Sequence, residues 1–165
     1  SFYRQFENGA KVVLICDAYR GDRMYECLTD YFSFLAGKKS DSLKIKNTNL
    51  ACGKDSDLLV FNGHNGIYEA QPDSCFATSS RQKDAVVIAC GSYWNYLPFI
   101  RNSNCYPLVT TTQSMYPGAT VLNKIIESWA NLEGAEAIRF AAAEGYDEMK
   151  NCGIISADRM FYSGW

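Results

Sequence analysis

The chain reads as an α/β fold built on a mainly parallel sheet of four or more strands covered by helices. Three observations lead there. Four short apolar runs recur along the chain. Their hydrophobicity is continuous rather than alternating, which fits strands buried on both faces. Segments with helical spacing lie between or after them, and strands that alternate with helices favour parallel pairing.

The first run, Lys11 to Cys16 (Lys-Val-Val-Leu-Ile-Cys), is short and β-branched. After Gly21, the residues Met24, Cys27, Leu28, Tyr31, Phe32 and Leu35 fall on one helical face, and Gly37 is a reasonable stop. Lys38 to Lys54 is polar and rich in Asn, Ser and Lys; it reads either as a short strand around Leu43 to Ile45 or as a mobile loop. The second run is Asp57 to Asn62, the third Ala85 to Cys90, and the fourth Pro107 to Thr112.

Tyr93, Trp94, Tyr96 and Phe99 follow the third run. Core packing of a helix accounts for them better than an apolar pocket wall does, and Pro98 makes any such helix short or kinked. Pro117 suits a first helical turn. Val121, Leu122, Ile125, Ile126 and Trp129 then form an apolar face, which Gly134 breaks. An alanine-rich helix is expected from Ala135 to Met149, and a short one from Ile154 to Phe161.

The chain's 165 residues fit one domain, 1–165, with a sizeable core. Apolar residues make up 47% and charged residues 21%, a globular rather than a disordered balance. A net charge of −2 gives no electrostatic footprint for a nucleic-acid partner. No apolar run approaches the roughly 20 residues that span a bilayer. The first residue is Ser1, not Met, so the chain reads as processed, trimmed or a fragment, and a removed signal peptide would leave no trace.

Seven cysteines leave at least one unpaired within a monomer. None forms a Cys-x-x-Cys pair, and one histidine cannot complete a Cys2His2 site, so neither a structural metal nor another cofactor is expected. Cys16 and Cys90 end apolar runs, where a thiol often packs as a small hydrophobe. Cys52, Cys75 and Cys105 lie in polar, turn-rich stretches and are candidates for pairing in an oxidising compartment.

The chemistry centres on two residues. His64, the chain's one histidine, stands in Phe-Asn-Gly-His-Asn-Gly just past the second run, and Cys90 stands in Val-Ile-Ala-Cys-Gly-Ser at the end of the third. Ligands bind beyond the carboxyl ends of parallel strands. Adjacent strand ends lie roughly 5 Å apart, so the two side chains can converge if the strands are neighbours. Histidine titrates near neutral pH and can take a thiol's proton; the thiolate then attacks a carbonyl. Gly63 and Gly66 bracket the histidine and permit positive φ, and Gly91 lets a substrate approach. Backbone N–H groups of Asn65, Gly66 and Gly91 are the candidate oxyanion donors. The bland reading is a hydrogen-bonded turn histidine and a core cysteine.

Chain order separates the thiol enzymes. Papain-like enzymes run cysteine first, and a nucleophile elbow wants glycine where this chain has Ile88. At Phe61 to Gly66 and Val87 to Ser92 the chain instead resembles the clan of caspases, metacaspases, separases and bacterial CHAT peptidases, whose pattern is an apolar strand ending in His-Gly and another ending in Ala-Cys. The resemblance implies a caspase–haemoglobinase-like three-layer sandwich, with His64 as acid and base and Cys90 as nucleophile of a cysteine peptidase acting on a peptide or protein. One position departs from the pattern: Asn65 stands between His64 and Gly66, where the family places glycine directly after histidine. Asparagine can take the same left-handed conformation.

Ala18-Tyr-Arg-Gly21, the Gly-His-Asn-Gly segment and Thr111 to Gly118 also resemble a group of uncharacterised bacterial proteins, often with secretion signals. That resemblance implies a periplasmic or secreted location, and a further strand ahead of Lys11, which the chain either lacks or has lost at a trimmed boundary.

The clan forms its specificity pocket at the same sheet edge, with arginine selecting Asp and acidic residues selecting Arg or Lys. Asp17, Arg20, Thr112 and Gln113 are the candidates here. Equally, Asp22 caps the following helix, Arg20 is merely solvated, and the threonines form a polar strand end. Two rivals to a peptidase remain: an inactive caspase-like interaction module and a thiol acyltransferase.

Overall fold

The computed structural model describes residues 1–45, 47–70, 72 and 79–165. Its central sheet has four strands in spatial order: β5 (Leu58–Asn62), β6 (Lys83–Ile88), β7 (Cys105–Thr111) and β8 (Phe161–Tyr162). β5, β6 and β7 run parallel, with Asn62 opposite Ile88 and Lys83 opposite Cys105; β8 is antiparallel to β7. The α/β class and the mostly parallel sheet therefore hold.

The alternation of side chains along β5 and β6 creates two cores. Leu59, Phe61, Ala85, Val87 and Ala89 pack with Leu28, Tyr31, Phe32, Leu35, Tyr96 and Ile100. These last belong to α1 (Met24–Leu35) and α3 (Ser92–Asn102). Val86 and Ile88 point the other way, onto Val121 and Ile125 of α4 (Ala119–Ala130), Ile138, Ala142 and Tyr146 of α5 (Ala135–Lys150), and Ala157 of α6 (Ile154–Asp158). Helices thus cover both faces, which explains why β5 and β6 read as continuous apolar runs.

Several expectations change. The run from Lys11 is not in the central sheet. It forms β2 (Lys11–Leu14), antiparallel to β1 (Phe2–Gln5), in a separate two-stranded ribbon. The cause is local: Asn8-Gly9 makes a tight turn, Gly9 has φ 86°, and Asn8 Oδ1 accepts the N–H of Ala10. Asn8 also donates to Ala130 O, and Arg4 pairs with Glu127 at 2.6 Å, so the ribbon leans on α4. Lys38 to Lys54 is a second hairpin, β3 (Ser40–Ile45) with β4 (Thr48–Gly53). The segment expected to be helical to Phe161 stops at Asp158, and Phe161–Tyr162 edges the sheet instead. Pro117 lies outside α4, ahead of its N-cap Gly118, and Pro98 sits inside an 11-residue α3.

Cys16, Cys27, Cys52, Cys90, Cys105 and Cys152 are free thiols, and Cys75 lies outside the described residues. Cys16 is exposed rather than packed, whereas Cys105 is buried because it opens β7. Among the described residues no helix is long and apolar enough to cross a membrane.

Candidate functional site

The register of β5 against β6 sets the site. Asn62 stands opposite Ile88, and Gly63 N–H continues the ladder to Ile88 O at 3.1 Å. His64 and Cys90 therefore sit at matching positions, each two residues beyond the last paired residue of its strand. The side-chain amide of Asn65 donates to the carbonyl of Cys90 at 2.6 Å and locks the two strand ends together. Its Oδ1 accepts the N–H of Ile67 and starts the short α2 (Ile67–Ala70).

Asn65 takes no left-handed conformation, and neither Gly63 nor Gly66 has positive φ. Gly66 serves close approach instead. A Cβ there would run into Met24 of α1, within 2.9 Å of its Sδ. Gly91 is the glycine that needs its freedom: with φ 57° it turns the chain from the end of β6 into α3.

Cys90 is half-buried, and its Sγ lies between the two backbone groups of Met115: it donates to Met115 O at 3.2 Å and accepts from Met115 N–H at 3.3 Å. The N–H of Gly91 donates to Gln113 O at 2.9 Å, so one of the three expected oxyanion donors is already engaged in this conformation. His64 is exposed, and its Nε2 faces both carboxylate oxygens of Glu69, at 3.0 and 3.2 Å. The sheet edge thus brings together the loops that carry His64, Asn65 and Cys90, while the polar contacts of His64 Nε2 and Cys90 Sγ go to Glu69 and Met115.

Below Cys90 lies a buried hydroxyl pair. Ser92 Oγ donates to Val87 O at 2.8 Å and accepts the N–H of Thr111 at 2.9 Å; Thr111 Oγ1 donates to Ala89 O and accepts the N–H of Ser92. These bonds fix the turn after β6 against β7.

The expected specificity residues have other duties. Arg20 forms a two-pronged pair with Asp22, at 3.1 and 2.7 Å, in an open hollow of about 560 Å³ along α1. Asp22 makes no side-chain cap bond. Asp17 is exposed within the loop after β2. Thr112 Oγ1 donates to Arg159 O at 3.1 Å, and Thr112 N–H to Met160 O at 2.9 Å, which ties the loop after β7 to the segment entering β8. Gln113 contributes its backbone carbonyl to Gly91 and leaves its side chain exposed.

Glu69, Met115 and the Ser92–Thr111 pair escaped the sequence reading. Glu69 was open to discovery, because five residues of loop and helical turn can bring a carboxylate back onto a histidine. Met115 contacts the sulfur through its backbone, which leaves no side-chain signal. No protein-family model, curated protein or solved structure matches the chain.

Proposed function

We propose that the chain is a thiol hydrolase of the caspase-like type, in which His64 and Cys90 cleave a peptide or amide bond through a thioester. The observation that carries this reading is the strand register, reinforced by the Asn65 bridge to the Cys90 carbonyl. Two neighbouring parallel strands deliver an imidazole and a thiol to one sheet edge, where ligands of such sheets bind.

With Nε2 turned to Glu69, Nδ1 is the nitrogen left to exchange a proton with the sulfur. The imidazole takes the thiol proton, Sγ bonds to the carbonyl carbon, and the C–N bond breaks as the imidazolium protonates the leaving amine. Water then splits the thioester, restoring the thiol and releasing the acid. Met115 N–H already points at the sulfur and would hold its anion, whereas the Met115 carbonyl favours the thiol. The turn at 113–115 therefore has to shift its carbonyl as the thiolate forms.

A second reading, an inactive domain of this fold kept for protein interaction, is favoured by the same pairs: Cys90 Sγ with Met115, and His64 Nε2 with Glu69. Iodoacetamide labelling at pH 7, read at each cysteine by mass spectrometry, decides between them. The hydrolase reading expects Cys90 to react faster than the exposed Cys16 and Cys152, and His64→Ala to slow Cys90 by about tenfold or more. Slow labelling of Cys90 that is equal in wild type and variant overturns it.

A further inference from the structure

We propose that the candidate site selects large apolar or aromatic side chains in its substrate peptide, rather than the charged residues that Asp17 or Arg20 would select. This rests on the hydrolase reading for the chemistry but on separate observations for the specificity. Three large aromatic rings stand exposed on the segments that adjoin His64 and Cys90: Tyr68 at 74%, Trp94 at 67% and Tyr116 at 68% of their full accessible surface.

Each is tied to the site's own frame. Trp94 lies in the first turn of α3, its Cδ1 lies 3.7 Å from where a Cβ on Gly91 would sit, and its indole N–H donates to Thr112 O at 3.2 Å. Tyr68 donates its hydroxyl to Asn95 Oδ1 at 2.7 Å, and Asn95 in turn donates to Gly91 O at 3.3 Å. Tyr116 follows Met115, the residue that brackets the sulfur, and carries Lys150 Nζ 3.7 Å from its ring centre.

The chemistry follows from what is already satisfied. Trp94 N–H and Tyr68 O–H are bound within the protein, so these rings offer faces and edges rather than polar handles. Tyr93 meets Trp94 edge to face at 4.8 Å and 85°, which holds the indole in place. Ordering rings that are already fixed costs little on binding. Three of the charged side chains nearby are paired, Arg20 with Asp22, Arg23 with Glu26 and His64 with Glu69, and Lys150 lies over the Tyr116 ring. An apolar side chain can lie on the exposed rings of Trp94 and Tyr68 without displacing an ion pair. The occupant is a peptide rather than a sugar, because thioester chemistry needs an acyl carbon and a glycosidic bond has none.

The test uses the full chain carrying Cys90→Ser, so that binding is read apart from thiol chemistry. Fluorescein-labelled hexapeptides, identical except for a central Phe, Leu, Asp or Arg, are titrated by anisotropy. The Phe and Leu peptides are expected to bind about tenfold tighter than the Asp and Arg peptides. Trp94→Ala and Tyr116→Ala should each remove most of that preference while the chain still unfolds cooperatively in urea, which shows that it remains folded. A preference for Asp or Arg, a preference insensitive to both variants, or tighter binding of chitotetraose than of the Phe peptide overturns the proposal. Labelling of wild-type Cys90 reports on the hydrolase reading alone, so the two can fail separately.

Discussion

Asn65 reaches across the sheet edge to hold the carbonyl of Cys90, 2.6 Å from its amide nitrogen. This one bond joins the loop that carries the histidine to the residue that carries the thiol. Asn65→Ala should cost about 1 kcal/mol, the usual worth of such a bond, and lower Tm by a few degrees. Asn65→Asp should cost more at pH 7, because a carboxylate would then face a carbonyl oxygen. Its deficit should shrink as the pH falls through the carboxylate's range and the acid regains a donor. Urea unfolding at pH 7 and pH 4 measures both; an Asp variant as stable as wild type at pH 7 would show that the bridge carries no load.

The Ser92–Thr111 pair makes a sharper prediction. Both residues are fully buried, and each hydroxyl serves a backbone group of the other's strand end. Ser92→Ala leaves Val87 O and Thr111 N–H without that partner, which should cost about 1–3 kcal/mol. Thr111→Val should cost a similar amount. Because the two share bonds, the double variant should lose clearly less than the sum. Strict additivity in a double-mutant cycle would contradict the shared network.

Gly66 lies against the side chain of Met24. Gly66→Ala has no strained φ to contend with, so its whole effect should be overpacking, about 1–3 kcal/mol. Met24→Ala makes room, and Gly66→Ala should be nearly neutral in that background. Suppression of this kind, read by thermal unfolding of the four proteins, ties α1 to the histidine loop; equal cost in both backgrounds would break the tie.

Lys83 is buried at the opposite end of β6, where its ammonium donates to Phe34 O at 2.7 Å and to Lys54 O at 3.4 Å. Burial pushes its pKa below the ordinary lysine range, against the upward pull of Cys105; among the nearby charges Arg81 also lowers it and Asp55 raises it. Between the depressed folded value and the ordinary unfolded one, the unfolded chain binds more protons, so this residue makes stability rise with pH across that window. The free amine keeps its donors there. In Lys83→Met that rise should be absent, and the gap in unfolding free energy between wild type and variant should widen in favour of wild type as the pH rises toward the ordinary lysine range. Parallel curves would refute it.

Hydrophobic runs and helical spacing were enough to find β5, β6, β7, α1, α4 and α5, because each buries a contiguous set of residues that the chain must write in apolar letters. The same signal misplaced β2. Apolar continuity reports burial but not partner, and the Asn8-Gly9 turn that pairs β2 with β1 was the clue that counted. β8 is only two residues long and has no period to read. At the site, His64 and Cys90 were legible as strand ends. The backbone bracket of Met115 and the engagement of Gly91 N–H by Gln113 were not, since both depend on how the 112–118 loop folds back and on no side chain of their own.

That loop is moored from behind. Thr112 is held by Arg159 and Met160, Phe161 pairs with Thr111, and Gly164 N–H reaches Pro107 O. Cleavage within residues 159–164 would therefore remove bonds that hold the start of the loop whose Met115 brackets Cys90 Sγ. The outermost strand of the sheet thus shares, through one loop, in placing the backbone groups around the thiol.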